Sequence, residues 1–105
     1  MEKVSVAFIV ETGIGPEEEE KYNKWLDNVH IPLALKSPGM LRARRYKSVD
    51  SEGKYLTIFE MENEAAAKQW DQGAERKAAH QNKLENWGEG GFTLQWAGYY
   101  KSFQP

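Results

Sequence analysis

The 105-residue chain contains no cysteine, which excludes disulfides, thiolate nucleophiles and zinc-thiolate centres and leaves the redox compartment undetermined. Its two histidines, His30 and His80, lie far apart without the spacing of paired ligands, so a metal site would need carboxylates gathered from separate elements. No apolar run approaches bilayer-spanning length, and MEKVSVAFIVETG lacks the apolar stretch and small-residue cleavage site of a signal peptide. A cytoplasmic protein without a membrane partner is expected. Neither sign of charge dominates: 14 basic and 16 acidic residues give a net charge of -2, with no general pull on nucleic-acid phosphates or anionic lipid. Glycine-based phosphate signatures fail as well. Gly13-Ile14-Gly15 lacks the third glycine of a dinucleotide fingerprint, no Walker lysine follows a glycine loop, and no Gly-x-Ser-x-Gly elbow exists.

What is present is a globular balance, with 40% apolar and 29% charged residues, and a length that suits one domain over residues 1–105. A chain of this size buries only about two-thirds of its unfolded surface, which favours association with a second copy. Val4 to Thr12 alternates as a first strand. Pro16 and the acidic run Glu17–Glu20 open a helix whose apolar stripe is Tyr22, Leu26, Val29 and Leu33, and Pro32 weakens it after Ile31. The Pro38-Gly39 turn leads into strands at Met40–Ser48 and Tyr55–Met61, joined by a polar loop at Asp50–Gly53. Asn63 caps a second helix through Trp70, Gly73 interrupts it, and helical spacing resumes over Ala74–Trp87. Gly88, Gly90 and Gly91 stop that helix, and Phe92–Phe103 is the last strand.

The order strand, helix, strand, strand, helix, strand predicts an α+β, ferredoxin-like domain with an antiparallel four-stranded sheet and both helices on one face. Alternation assigns Val4, Val6, Phe8, Leu56, Ile58, Leu94 and Trp96 to the helix side. It assigns Ala7, Ile9, Tyr46, Tyr55, Phe59, Met61, Tyr99 and Phe103 to the other, an apolar face that a second sheet would cover unless a one-residue bulge mixes the two sets.

The most distinctive stretch is Trp25-Leu-Asp-Asn-Val-His-Ile-Pro32. It puts Asp27 one helical turn before His30 at a proline-disrupted helix end, and it admits two readings. Asp27 orients the imidazole and raises its basicity while the other ring nitrogen exchanges a proton with a substrate, or His30 only satisfies the kinked chain by a hydrogen bond across the helix end. WLDNVHIPL followed by SPGMLRARRY resembles the EthD-like branch of the dimeric α/β-barrel superfamily, with Trp25, His30, Pro32, Pro38 and Gly39 matching the family's aromatic residue, histidine near proline, and Pro-Gly turn. The resemblance implies a homodimer with sheets packed face to face and a pocket between helices and sheet near His30. It also implies kinship with proteins that break down small organic compounds, among them cofactor-independent monooxygenases, isomerases and dehydratases.

Four tryptophans, five tyrosines and four phenylalanines supply flat apolar walls for a hydrophobic or aromatic ligand, or an aromatic core. Trp25 and Trp96 are candidates to line the pocket, Tyr46 and Tyr99 to donate a phenolic hydrogen bond to a substrate oxygen, and Arg44 or Arg45 to hold a carboxylate or enolate oxygen. The basic run Arg42, Arg44, Arg45 and Lys47 does not make an RNA-binding sheet, because Lys54–Met61 lacks the required glycine and includes Glu60. His80 reads as solvated or capping. The expectation is therefore an enzyme without metal or organic cofactor, with His30 and Asp27 catalytic. A non-catalytic dimeric carrier of a hydrophobic metabolite is the rival, and a purely structural or regulatory dimer a third reading.

Overall fold

A computed structural model describes residues 5–87 and 92–103. Strand β1 (Val6–Gly13) leads through a 3-10 turn at Pro16–Glu18 into helix α1 (Glu19–Trp25), a π-helical turn at Leu26–His30 and helix α2 (Ile31–Ala34). Strands β2 (Met40–Lys47) and β3 (Lys54–Met61) form a hairpin, helices α3 (Glu64–Gln72) and α4 (Ala74–Trp87) follow, and β4 (Thr93–Lys101) completes the sheet. Every ladder is antiparallel, in the order β2-β3-β1-β4. This is the α+β ferredoxin-like arrangement expected from the element order. Val4 and the expected stops at Gly88, Gly90 and Gly91 lie outside the described residues. No helix among the described residues is long and apolar enough to cross a membrane.

Local chemistry accounts for the element ends. Pro16 sits where its missing N–H costs nothing, and Glu17 and Glu18 face the positive end of the helix dipole. The Asn63 side chain accepts the Ala66 N–H at 2.9 Å and so caps α3. Asn63→Ala should cost about 1 kcal/mol, read as a lower urea midpoint at unchanged slope; an unmoved midpoint would remove the cap from the ledger. Gly53 has φ +68°, and a Cβ there would stand 2.2 Å from the Ile14 carbonyl oxygen. Only glycine lets the hairpin turn approach the end of β1 closely enough for Ile14 N–H to donate to the Gly53 carbonyl at 2.7 Å.

The helices bury Val6, Phe8 and Thr12 of β1 and Tyr55, Thr57, Phe59 and Met61 of β3. The expected facing of β3 is thus corrected: Tyr55, Phe59 and Met61 point to the helices, and Leu56 and Ile58 point away. Both sets are apolar, so alternation alone did not choose; the bulkier aromatic set fills the space between sheet and helices. In β4 a register shift leaves Thr12 opposite Leu94 but Glu11 opposite Trp96, so one residue, Gln95, is inserted between them. Leu94 therefore lies on the helix side and Trp96 on the outer face. Tyr99, paired with Phe8, returns to the helix side, contrary to expectation.

The segment from α1 to α2 contains the departure that matters most. A regular helix would turn Tyr22, Leu26, Val29 and Leu33 inward, whereas the buried residues are Tyr22, Trp25, Leu26 and Ala34, and Val29 is 36% exposed. The π turn is closed by the Ile31 N–H donating to the Leu26 carbonyl, five residues back, and this extra residue moves the inward face on by one. His30 and Ala34 take the places expected of Val29 and Leu33. Pro32 would remove a hydrogen bond and crowd the carbonyl four residues back; the widened turn just before it relieves that conflict, and the helix runs on to Ala34 instead of failing at Ile31.

Candidate active site

Between the helix side of the sheet and helices α1 and α4 lies a cavity of about 180 Å³. Phe8, Thr12, Thr57 and Phe59 form its sheet wall, and Tyr22, Trp25 and His30 project into it from α1 and the π turn. Helix α4 closes the other side with Arg76, His80 and Lys83. The cavity is bounded by both halves of the core, the cluster of Val6, Phe8, Phe59, Met61 and Trp70 and the cluster of Ile14, Tyr22, Trp25, Leu26 and Tyr55.

His30 is held by rings. Its imidazole stacks on Trp25 with centroids 4.7 Å apart and planes at 20°, and meets Phe59 edge-on at 5.9 Å. Its Nδ1 is buried and has no hydrogen-bond partner among the described residues. Burial, which disfavours the charged ring, lowers the His30 pKa from 6.5 to about 4, so the imidazole is neutral near pH 7 and able to accept a proton. Trp25 is fixed in turn. Its Nε1 donates to Asn82 Oδ1 at 2.6 Å, tying α1 to α4, and its ring abuts Trp87 at 4.9 Å and 87°. Thr12 and Tyr22 share a short hydrogen bond between their hydroxyls on the cavity wall, and burial raises the Tyr22 pKa.

Of the residues singled out in the sequence, Trp25 and His30 meet at this cavity. Asp27 does not join them. Its side chain is 61% exposed and accepts from Arg45 Nη1 at 3.1 Å, because the π turn splits the face that residues three apart share in a regular helix. Arg45 also donates to Asn23 and lies over the Tyr22 and Tyr55 rings. Arg44 points to the outer face, where its Nε approaches Glu60 at 3.7 Å, and Tyr46 and Trp96 are exposed on that face. Tyr99 stacks on Phe8 at 4.5 Å and donates to Asp71 at 2.8 Å, bordering a separate groove along α3. His80 is exposed, as expected, yet borders the cavity. Sequence reasoning missed Thr12, Tyr22, Arg76 and Lys83. The available signal for the last two was their spacing with His80 along one face of α4. Among the described residues no three His, Cys, Asp or Glu side chains cluster as a metal site would require.

A family model described as a domain of unknown function (DUF4286) matches residues 5–95. No curated protein matches the chain. Similar solved structures include a putative antibiotic biosynthesis monooxygenase from Nitrosomonas europaea, with TM-score 0.70 and 12% identity over 100% of this chain and 96% of that one. An ethyl tert-butyl ether d (EthD) family protein from Bacillus halodurans aligns with TM-score 0.63 and 15% identity, covering 95% and 99%. SnoaB from Streptomyces nogalater, a cofactor-independent oxygenase, aligns with TM-score 0.64 and 12% identity, covering 95% and 92%. The resemblance drawn from WLDNVHIPL and SPGMLRARRY holds, since the neighbours share the ferredoxin-like fold and include an EthD family protein. At these identities the fold is what is shared.

Proposed function

The chain belongs to the DUF4286 family, and from the pocket beside His30 we propose a small-molecule enzyme in which His30 takes a proton from a hydrophobic or aromatic substrate. The observation that carries this reading is a neutral imidazole, unpartnered at its buried Nδ1, on the wall of an aromatic cavity. A base whose conjugate acid has a pKa of about 4 is weak against water, but an enolate formed beside it pairs with the new imidazolium and offsets its desolvation. Cofactor-independent oxygenation, isomerisation and dehydration all begin with such a proton removal. The similarity to a putative antibiotic biosynthesis monooxygenase and to a cofactor-independent oxygenase supports the first of these. Asp27 enters only through Arg45, as a positioning residue for the α1 surface. Degradation of organic compounds is the physiological setting proposed.

The test is exchange of the α-protons of 2-tetralone, an enolisable ketone on an aromatic ring, followed by NMR in deuterated buffer. The protein should accelerate exchange over buffer; no acceleration would contradict proton removal. A specific observation favours the carrier reading: among the described residues no carboxylate bonds His30 Nδ1, which suits a ring that recognises a ligand without turning it over. Retained 2-tetralone binding without exchange would favour it.

The same reading has the outer sheet face cover a second copy. Ile9, Leu56 and Ile58 lie there with Trp96 (40% exposed) and Tyr100 (55% exposed), while Arg42 and Arg44 are partly neutralised by Glu60. Sedimentation should give about 24 kDa, two chains of 12.1 kDa, and Trp96→Asp should shift the population to monomer. A wild-type monomer at micromolar concentration would contradict the dimer and leave the pocket untouched.

A further inference from the structure

We propose that the substrate is an aromatic or alicyclic carboxylate whose ring enters the cavity beside His30 and whose charge is held at the mouth by the basic face of α4. The inference rests on the reading of that cavity as a substrate site and adds the charge of the molecule that occupies it. Arg76, His80 and Lys83 stand four and three residues apart, so on a helix they share one face over about 10 Å, and that face borders the cavity. Ala79, between them, is buried against the same wall and keeps α4 close.

The two permanent cations are seated on the cavity's own aromatic walls. The Arg76 guanidinium lies 5.3 Å from the Phe8 ring centroid and the Lys83 ammonium 4.3 Å from that of Phe92. Among the described residues no aspartate or glutamate lines the cavity, although the chain holds 16 acidic residues against 14 basic ones. Asp71 offsets part of the charge from outside, accepting from Arg76 Nη1, which also reaches the Tyr99 hydroxyl at 3.3 Å. Both bonds leave from Nη1, so among the described residues the Nη2 and Nε donors remain for a ligand oxygen. A neutral aromatic substrate would need none of these cations. A carboxylate carried on a flat ring uses both the apolar walls and the charged mouth.

The experiment compares 2-naphthoate with its neutral isostere 2-naphthamide by quenching of tryptophan fluorescence, since Trp25 lines the cavity. The wild-type protein should bind the carboxylate about tenfold more tightly than the amide. Raising salt should erode that preference, and Lys83→Gln should remove most of it; Arg76→Gln serves as the second variant, with circular dichroism to check its fold. Equal affinity for the two compounds, or a preference that Lys83→Gln does not touch, would overturn the carboxylate assignment and leave the aromatic pocket standing. Binding of neither compound would overturn the pocket reading itself, and the assignment with it.

Discussion

Replacing His30 by alanine will leave the chain folded and able to bind 2-tetralone while slowing its α-proton exchange by about 10²- to 10⁴-fold, the usual share of a positioned base. The reasoning is geometric. His30 is presented to the cavity by the π turn and stacked on Trp25, and His80 is the one other imidazole on the wall among the described residues. His80, at the exposed edge on α4, is the nearest competitor, and His80→Gln provides the control. Exchange that survives His30→Ala but falls in His80→Gln would transfer the role to α4. Exchange unaffected by either would leave the cavity a binding site only. Because truncating a ring packed between Trp25 and Phe59 also opens a void, His30→Gln is the companion variant: it keeps most of the volume, cannot take up a proton, and should be as inactive as alanine.

The second large effect is on stability against pH. The folded His30 has a pKa of about 4 against 6.5 when exposed, with burial as the cause. Above pH 6.5 neither state carries the proton, and the residue contributes no pH dependence. Between 6.5 and about 4 the unfolded chain binds a proton that the folded chain refuses, so stability falls as the pH falls, and below about 4 both states are protonated and the loss levels off. The size is on the order of 3 kcal/mol, a large share of what a domain of this size has to spare. Urea midpoints measured from pH 7 to pH 4 on the wild type and on His30→Gln isolate it, because carboxylate titrations are common to both. The wild-type curve should drop more steeply by that amount. Parallel curves would mean that His30 is hydrated in the folded state and that the cavity is wetter than its walls imply.

The order of elements along the chain, the Asn63 cap, the break at Gly73 and the hairpin at Asp50–Gly53 were legible because each depends on neighbours in sequence. The sheet faces were not. Tyr55, Phe59 and Met61 alternate with Leu56 and Ile58, and two apolar sets give the alternation nothing to choose between. The inserted Gln95 then put Leu94 and Trp96 on opposite faces, which no periodicity within β4 reveals. At the site, Trp25 and His30 were readable as a motif, but their geometry was not. A regular helix places Asp27 with His30; the π turn sends Asp27 to Arg45 and His30 to the cavity. Pro32 was the local sign of that irregularity, and its strain falls on the turn before it, not on the helix after it. Arg76 and Lys83 went unseen because a basic helix face has the same pattern whether it borders water or a cavity.

The most direct measurement is the ring ¹⁵N spectrum of the two histidines during titration with 2-tetralone at pH 7. The expected result is a neutral His30 ring in the free protein whose signals shift saturably as the ligand enters, with smaller changes at His80. A His30 ring that is already protonated, or one that ignores a ligand shown by fluorescence to bind, would contradict the claim that this cavity brings its substrate to His30.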